Sequence, residues 1–93
     1  MAIRFSRSAA RHGISRARAQ YVVEACPCPL YPPPEADGLD QEVVVFLWPD
    51  AGGVPLEVVG LELADGDLLV IHAMKLRKAY FEDYARVLEC LGQ

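Results

Sequence analysis

Between residues 19 and 71 the chain has no lysine or arginine, although ten acids fall in that interval. The middle of the chain is thus purely acidic, and the net charge of −4 on its face argues against nucleic acid. No apolar run approaches the roughly 18–20 residues that span a bilayer as a helix. No glycine-rich loop is present to cradle a phosphate, and no internal repeat points to a solenoid. Cysteine is scarce and odd in number: Cys26 and Cys28 flank Pro27, and Cys90 lies far away. A C-x-C pair with one remote partner is a poor match to zinc spacing, so the expectation is reduced thiols and no metal. The start of the chain, Met1 to Arg7, carries charge without a following apolar segment, which predicts no secretory signal and a cytoplasmic protein.

The composition that remains is that of one small folded domain over residues 1–93, 53% hydrophobic and 24% charged. The net charge of −4 is unevenly spread. Arg4, Arg7, Arg11, Arg16 and Arg18 lead the chain; Lys75, Arg77, Lys78 and Arg86 close it; together they are all nine bases. Two arrangements fit this segregation. Either the termini meet and make one basic face, or the acidic strands neutralise the basic ends.

The segment 56–80, LEVVGLELADGDLLVIHAMKLRKAY, is the centre of the pattern. Its first half alternates apolar positions, Asp65-Gly66 suits a tight hairpin turn, and Leu68 to Ile71 is an apolar run of strand length. Residues 42–48, 54–63 and 67–74 thus read as an antiparallel meander, with a turn over 49–53. Ile3 to Phe5 is a candidate edge strand. Ser6 or Ser8 is placed to cap a brief helix through Arg11, Gly13 to end it in the left-handed region, and Ser15 to cap a second. That second helix carries Ile14, Tyr21, Val22 and Cys26 on one side and stops at Pro27 and Pro29. Residues 27–40, with five prolines, form a surface loop. Leu76, Tyr80, Tyr84, Val87, Leu88 and Leu91 form the stripe of a C-terminal helix, with Lys78–Glu82 and Glu82–Arg86 as i, i+4 pairs and Gly92 at its end. The expected fold is α+β: two short N-terminal helices, a three- to four-stranded antiparallel sheet, and a C-terminal helix.

Both histidines lie among bases. His12 follows Arg11, and His72 precedes Lys75, Arg77 and Lys78. Metal-independent RNA cleavage needs a base for the 2′-hydroxyl proton, an acid for the leaving 5′-oxygen, and cations for the phosphorane. Imidazole and guanidinium meet those needs near neutral pH. The segregation predicts Arg11 or His12 beside His72 and Arg77. The plainer alternative for His72 is a structural hydrogen bond within a strand. Tyr80 continues the apolar stripe, so its ring is core while its hydroxyl can still reach the site. Glu57, facing opposite Leu56 and Val58, reads as part of a solvated sheet face, and Asp50 as part of its turn.

The segments Arg11-His12-Gly13-Ile14-Ser15, Pro49 to Val59, and Asp65-Gly66 followed by Val70-Ile71-His72-Ala73-Met74-Lys75-Leu76-Arg77-Lys78-Ala79-Tyr80 resemble those of the BrnT-type toxins of bacterial type II toxin–antitoxin pairs. That family has a RelE-like ribonuclease fold. The resemblance implies an RNA endonuclease that inhibits translation and is held inactive by a cognate antitoxin. It assigns a catalytic role to His12, His72, Arg77 and Tyr80, and RNA binding falls to Arg11, Lys75 and Lys78. No cofactor and no membrane are implied, and assembly as a homodimer or a toxin–antitoxin hetero-oligomer is. Met74 stands where the family's last strand typically has an arginine. A non-enzymatic nucleic-acid-binding module and a protein-interaction module are the alternatives from other classes.

Overall fold

A computed structural model describes residues 1–32 and 42–90. Strand β1 (Ile3–Phe5) leads into a 3₁₀ turn (Arg7–Ala10) and helix α1 (Arg16–Ala25). Strands β2 (Glu42–Pro49), β3 (Pro55–Glu62) and β4 (Leu68–Lys75) follow, then a second 3₁₀ turn (Lys78–Tyr80) and helix α2 (Phe81–Cys90). The fold is α+β. The sheet order is β1-β4-β3-β2, antiparallel through the meander, with β1 parallel to β4. The sheet is therefore mixed and not wholly antiparallel. The two hairpins set the direction of β4, and the long path from β1 through α1 supplies the crossover that a parallel neighbour needs.

Two helices are described where three were expected. The segment after Ser6 makes a single 3₁₀ turn, and Ser6, at its N-cap, makes no side-chain cap. Its hydroxyls are used across the chain: Ser8 Oγ donates to the Ile71 carbonyl at 2.7 Å and meets Ser6 Oγ at 2.7 Å. Helix α1 is capped as expected, Ser15 Oγ accepting from Arg18 N–H at 3.2 Å, and Gly13 takes φ +76° just before it. Its buried side is Ala19, Val22, Val23 and the following Cys26, whereas Tyr21 is 43% exposed.

In β2, four successive residues, Val44 to Leu47, are buried. A strand buried on both sides must have cover on both faces. One face carries Leu56, Val58, Val70 and Ala73, and shares a cleft with Ile14 and Ala19 of the α1 region. The other carries Val45, Leu47, Glu57 and His72, and Val45 lines a cleft with Tyr80 and Asp83 of the C-terminal segment. The helices thus lie on opposite faces. Burying Leu47, Leu56, Leu68 and Val87 contributes roughly 1.5–3 kcal/mol each.

Helix α2 differs in detail from its sequence stripe. Val87 is buried and Tyr84 half-buried, but Leu88 is 43% exposed. The ion pair seen on it is Asp83–Arg86 at 3.7 Å, not the i, i+4 pairs. Leu91, Gly92 and residues 33–40 of the proline-rich loop lie outside the described residues.

The cysteines correct the expectation of reduced thiols. Cys28 and Cys90 form a disulfide across a sequence separation of 62, with Cα atoms 6.6 Å apart. It ties the end of α2 to the segment where Leu30 bridges Val45. Cys26 stays a free, buried thiol whose burial pushes its pKa up, and it donates to the Leu47 carbonyl at 3.7 Å.

Candidate active site

One extra residue in β4 sets the geometry of the site. Val59 pairs with His72 and Gly60 pairs with Val70, so Ile71 is a bulge. In an unbroken strand His72 would share the core face of Leu68 and Val70. The bulge reverses the alternation and turns His72 to the face of Glu57. The same Ile71 offers its carbonyl to Ser8, so the turn that carries His12 is moored beside it.

The outcome is a contact between the two histidines. Their ring centroids lie 5.4 Å apart, with the ring planes at 69°. His12 is exposed on the Arg11–His12 turn, and the His72 side chain is 24% exposed in the sheet.

Glu57 lies beneath them. Its partner in register is Met74, with His72 on the diagonal, and its side chain is completely buried. The solvated sheet face expected for it does not exist, because the C-terminal segment covers that face. The carboxylate accepts from His72 Nε2 at 3.1 Å and from the Arg77 backbone N–H at 2.9 Å. It also accepts from Arg77 Nε at 3.1 Å on each oxygen and from Arg77 Nη2 at 2.7 Å. Burial alone would raise its pKa. The side-chain and backbone hydrogen bonds of Arg77, with that of His72, outweigh burial and hold the carboxyl below its ordinary range. Arg77 is correspondingly pushed up by the Glu57 hydrogen bonds and charge.

Arg77 is reached by a short path. Leu76 N–H donates to the Pro55 carbonyl at 3.1 Å, which ends the strand beside β3 and aims the next residue at Glu57. The guanidinium carbon then stands 6.0 Å from the Tyr80 ring centroid. Tyr80 itself is half-buried against the core. Met74, directly opposite Glu57, leaves the carboxylate without a cation at that position, and Arg77 supplies it.

The structure thus links His12 to His72, His72 through Glu57 to Arg77, and Arg77 to the Tyr80 ring, with the Nε–Nη2 edge of Arg77 directed inward at Glu57. Lys78 follows Arg77 and Arg11 precedes His12, and both are exposed. Lys75 is not gathered with them: it pairs in register with Leu56, on the opposite face. Elsewhere Arg4 pairs with Asp65 and Asp67, and Arg18 with Asp50. Among the described residues, Arg7, Arg11, Arg16, Lys75 and Lys78 have no carboxylate within ion-pair distance. Part of the acidic middle therefore neutralises bases, and part of the basic population has no acidic partner among the described residues.

Asp50 belongs to its turn, accepting from Gly52 and Val54 N–H at 2.9 Å each, and Arg18 Nε reaches it at 2.8 Å. The Val54 hydrogen bond is the main cause holding its pKa low, with Arg18 and Gly52 adding to it.

Glu57 is the residue that the sequence hides. An acid among β-branched residues reads as a solvent-facing position by alternation alone. Its signal is positional: Glu57 and Arg77 have opposite charge and flank one hairpin, which folds back to pair them. No family model matches the chain, no curated protein matches it, and no solved structure matches it.

Proposed function

We propose that the chain is a ribonuclease toxin of a type II toxin–antitoxin pair, cleaving RNA without a metal ion. The observation that carries this is the pairing of His12 and His72, with centroids 5.4 Å apart and Arg77 linked to His72 through Glu57. Two imidazoles in edge contact can both reach one phosphodiester laid across them. The neutral ring removes the 2′-hydroxyl proton as the 2′-oxygen attacks phosphorus. The P–O5′ bond breaks, and the protonated ring delivers its proton to the departing 5′-oxygen. The products are a 2′,3′-cyclic phosphate and a 5′-hydroxyl. Histidine suits both transfers near neutral pH. Arg11 and Lys78, which have no carboxylate partner among the described residues, supply positive charge for the phosphate oxygens, and the outer face of Arg77, though its charge is paired with Glu57, offers them further N–H donors.

The exposed His12 ring and the partly exposed His72 ring make the site one that a bound antitoxin can cover, and the resemblance to BrnT-type toxins supplies that partner. The compartment is the cytoplasm, where translated RNA is found. Its reducing poise would hold Cys28 and Cys90 as thiols, so fold stability there rests on the core.

The test is RNA cleavage in excess chelator by wild type, His12→Ala and His72→Ala, each checked for folding by circular dichroism. Cleavage should fall about 10²–10⁴-fold in either variant with RNA affinity nearly unchanged. A folded His72→Ala or His12→Ala variant that cleaves at the wild-type rate would overturn the catalytic assignment. Wild type that retains RNA without cutting it would identify a binding module. Binding to a protein partner that is insensitive to salt, with no affinity for RNA, would identify an interaction module.

A further inference from the structure

Glu57 is a fully buried titratable group that takes no part in the proton transfers of RNA cleavage. Its partners nevertheless constrain the chemistry of His72. Both carboxylate oxygens are filled by donors: Oε1 by the Arg77 backbone N–H and Nε, Oε2 by Arg77 Nε and Nη2. One of these donors is main chain and another a permanent cation, so the carboxyl stays ionised and can only accept. His72 Nε2, 3.1 Å from Oε2, must then be the protonated nitrogen. In the neutral ring this leaves the lone pair on Nδ1.

We infer that Glu57 is a positioning residue that locks His72 in its Nε2–H tautomer and presents Nδ1 as its proton-transferring atom. The inference deepens the ribonuclease proposal and rests on it for its catalytic meaning, though not for the tautomer itself. The same carboxylate anchors the backbone of Arg77, so one buried group sets the placement of an imidazole and a guanidinium together. A ring held by a carboxylate on its far nitrogen is the arrangement by which an acid directs a catalytic histidine without itself exchanging a proton.

Glu57→Gln makes the inference sharp, because an amide has only one acceptor oxygen. The Arg77 backbone N–H cannot swing away, so the amide oxygen is expected to take the Oε1 position. The amide NH₂ then occupies the Oε2 position and faces His72 Nε2, which must accept. The tautomer should invert to Nδ1–H.

Histidine-ring ¹⁵N–¹H correlation spectra, recorded above the pH at which the ring is charged and without RNA, read this directly. The expected result is Nε2–H in wild type and Nδ1–H in Glu57→Gln. Turnover of RNA should fall about 10²–10⁴-fold in Glu57→Gln, with RNA affinity changed by no more than a few-fold. Nδ1–H in wild type, or an unchanged tautomer in a folded Glu57→Gln, overturns the inference. Should the variant not fold, the wild-type ring alone decides it. Wild type that shows the Nε2–H tautomer but cuts no RNA would defeat the ribonuclease proposal and leave the role of Glu57 standing.

Discussion

The guanidinium of Arg77, about half exposed, closes on the wholly buried carboxylate of Glu57, with Nη2 2.7 Å from Oε2. One partner is anchored in the sheet interior and the other at its rim. Removing the rim partner leaves a buried carboxylate with His72 as its remaining side-chain donor, which is the costly way to break such a pair. Arg77→Ala should therefore lower the denaturation midpoint, and Arg77→Lys should not restore it, because an ammonium cannot reproduce the fork. Equal midpoints for wild type and Arg77→Ala would show that the pair contributes nothing.

The acid side of the stability curve follows from the same carboxyl. Its folded pKa lies below the ordinary glutamate range, chiefly because Arg77 outweighs burial. The folded state thus releases this proton more readily than the unfolded chain. Stability from Glu57 is complete above the unfolded value and is lost as pH falls through that value toward the folded one. Glu57→Gln should flatten that stretch of the curve, while Asp50, also lowered, keeps its own share. Urea midpoints measured from neutral to strongly acidic pH test this. A wild-type slope identical to that of Glu57→Gln would refute it.

The Cys28–Cys90 disulfide closes a separation of 62 residues. Loop-closure entropy for a span of that size predicts about 4 kcal/mol of stabilisation from the cross-link. Oxidised protein should unfold at higher denaturant than reduced protein by up to that amount. Cys28→Ser should match the reduced protein under both conditions. A Cys28→Ser variant as stable as the oxidised wild type would show that the tether adds nothing to the fold.

Gly60 sits at the bulge that turns His72. A Cβ there would meet Leu68 Cδ1 at 2.7 Å and Cγ at 3.1 Å, and Leu68 is itself buried. Gly60→Ala should destabilise by about 1–3 kcal/mol. A register change at the bulge should also separate the two imidazoles, seen as loss of nuclear Overhauser contacts between their rings. Full stability with the ring contacts intact would mean that Leu68 moves aside at no cost.

For RNA, the bases without an acidic partner among the described residues should be unequal. Arg11 adjoins His12 in the chain and Lys78 adjoins Arg77, whereas Lys75 pairs in register with Leu56 on the other face. Arg11→Ala or Lys78→Ala should each reduce the salt slope of RNA affinity by about one. Lys75→Ala should change it less. Equal losses for all three would place the RNA across the strand end rather than over the histidines.

The meander, its two turns and the end of α1 at the prolines were all legible in the residues. Their causes are local: alternation along a strand, φ +86° and +90° at Gly53 and Gly66, and the missing N–H of proline. Only Gly66 of the Asp65-Gly66 pair takes positive φ, since Asp65 serves the turn through its side chain, accepting from Asp67 N–H at 2.9 Å. The histidines and Arg77 stood out by their company alone. Their arrangement did not, because it depends on contacts between residues far apart in the chain. Nothing local marks Ile71 as the bulged residue, and without the bulge His72 would point into the core. Nothing local makes Glu57 buried either, since alternation assigns it a face but cannot say whether another element covers that face. The parallel pairing of β1, the Cys28–Cys90 bond and the Arg77–Glu57 pair share this dependence. Local sequence chooses conformations and faces; which faces meet, and so which charges lose their water, is decided only when the whole chain packs.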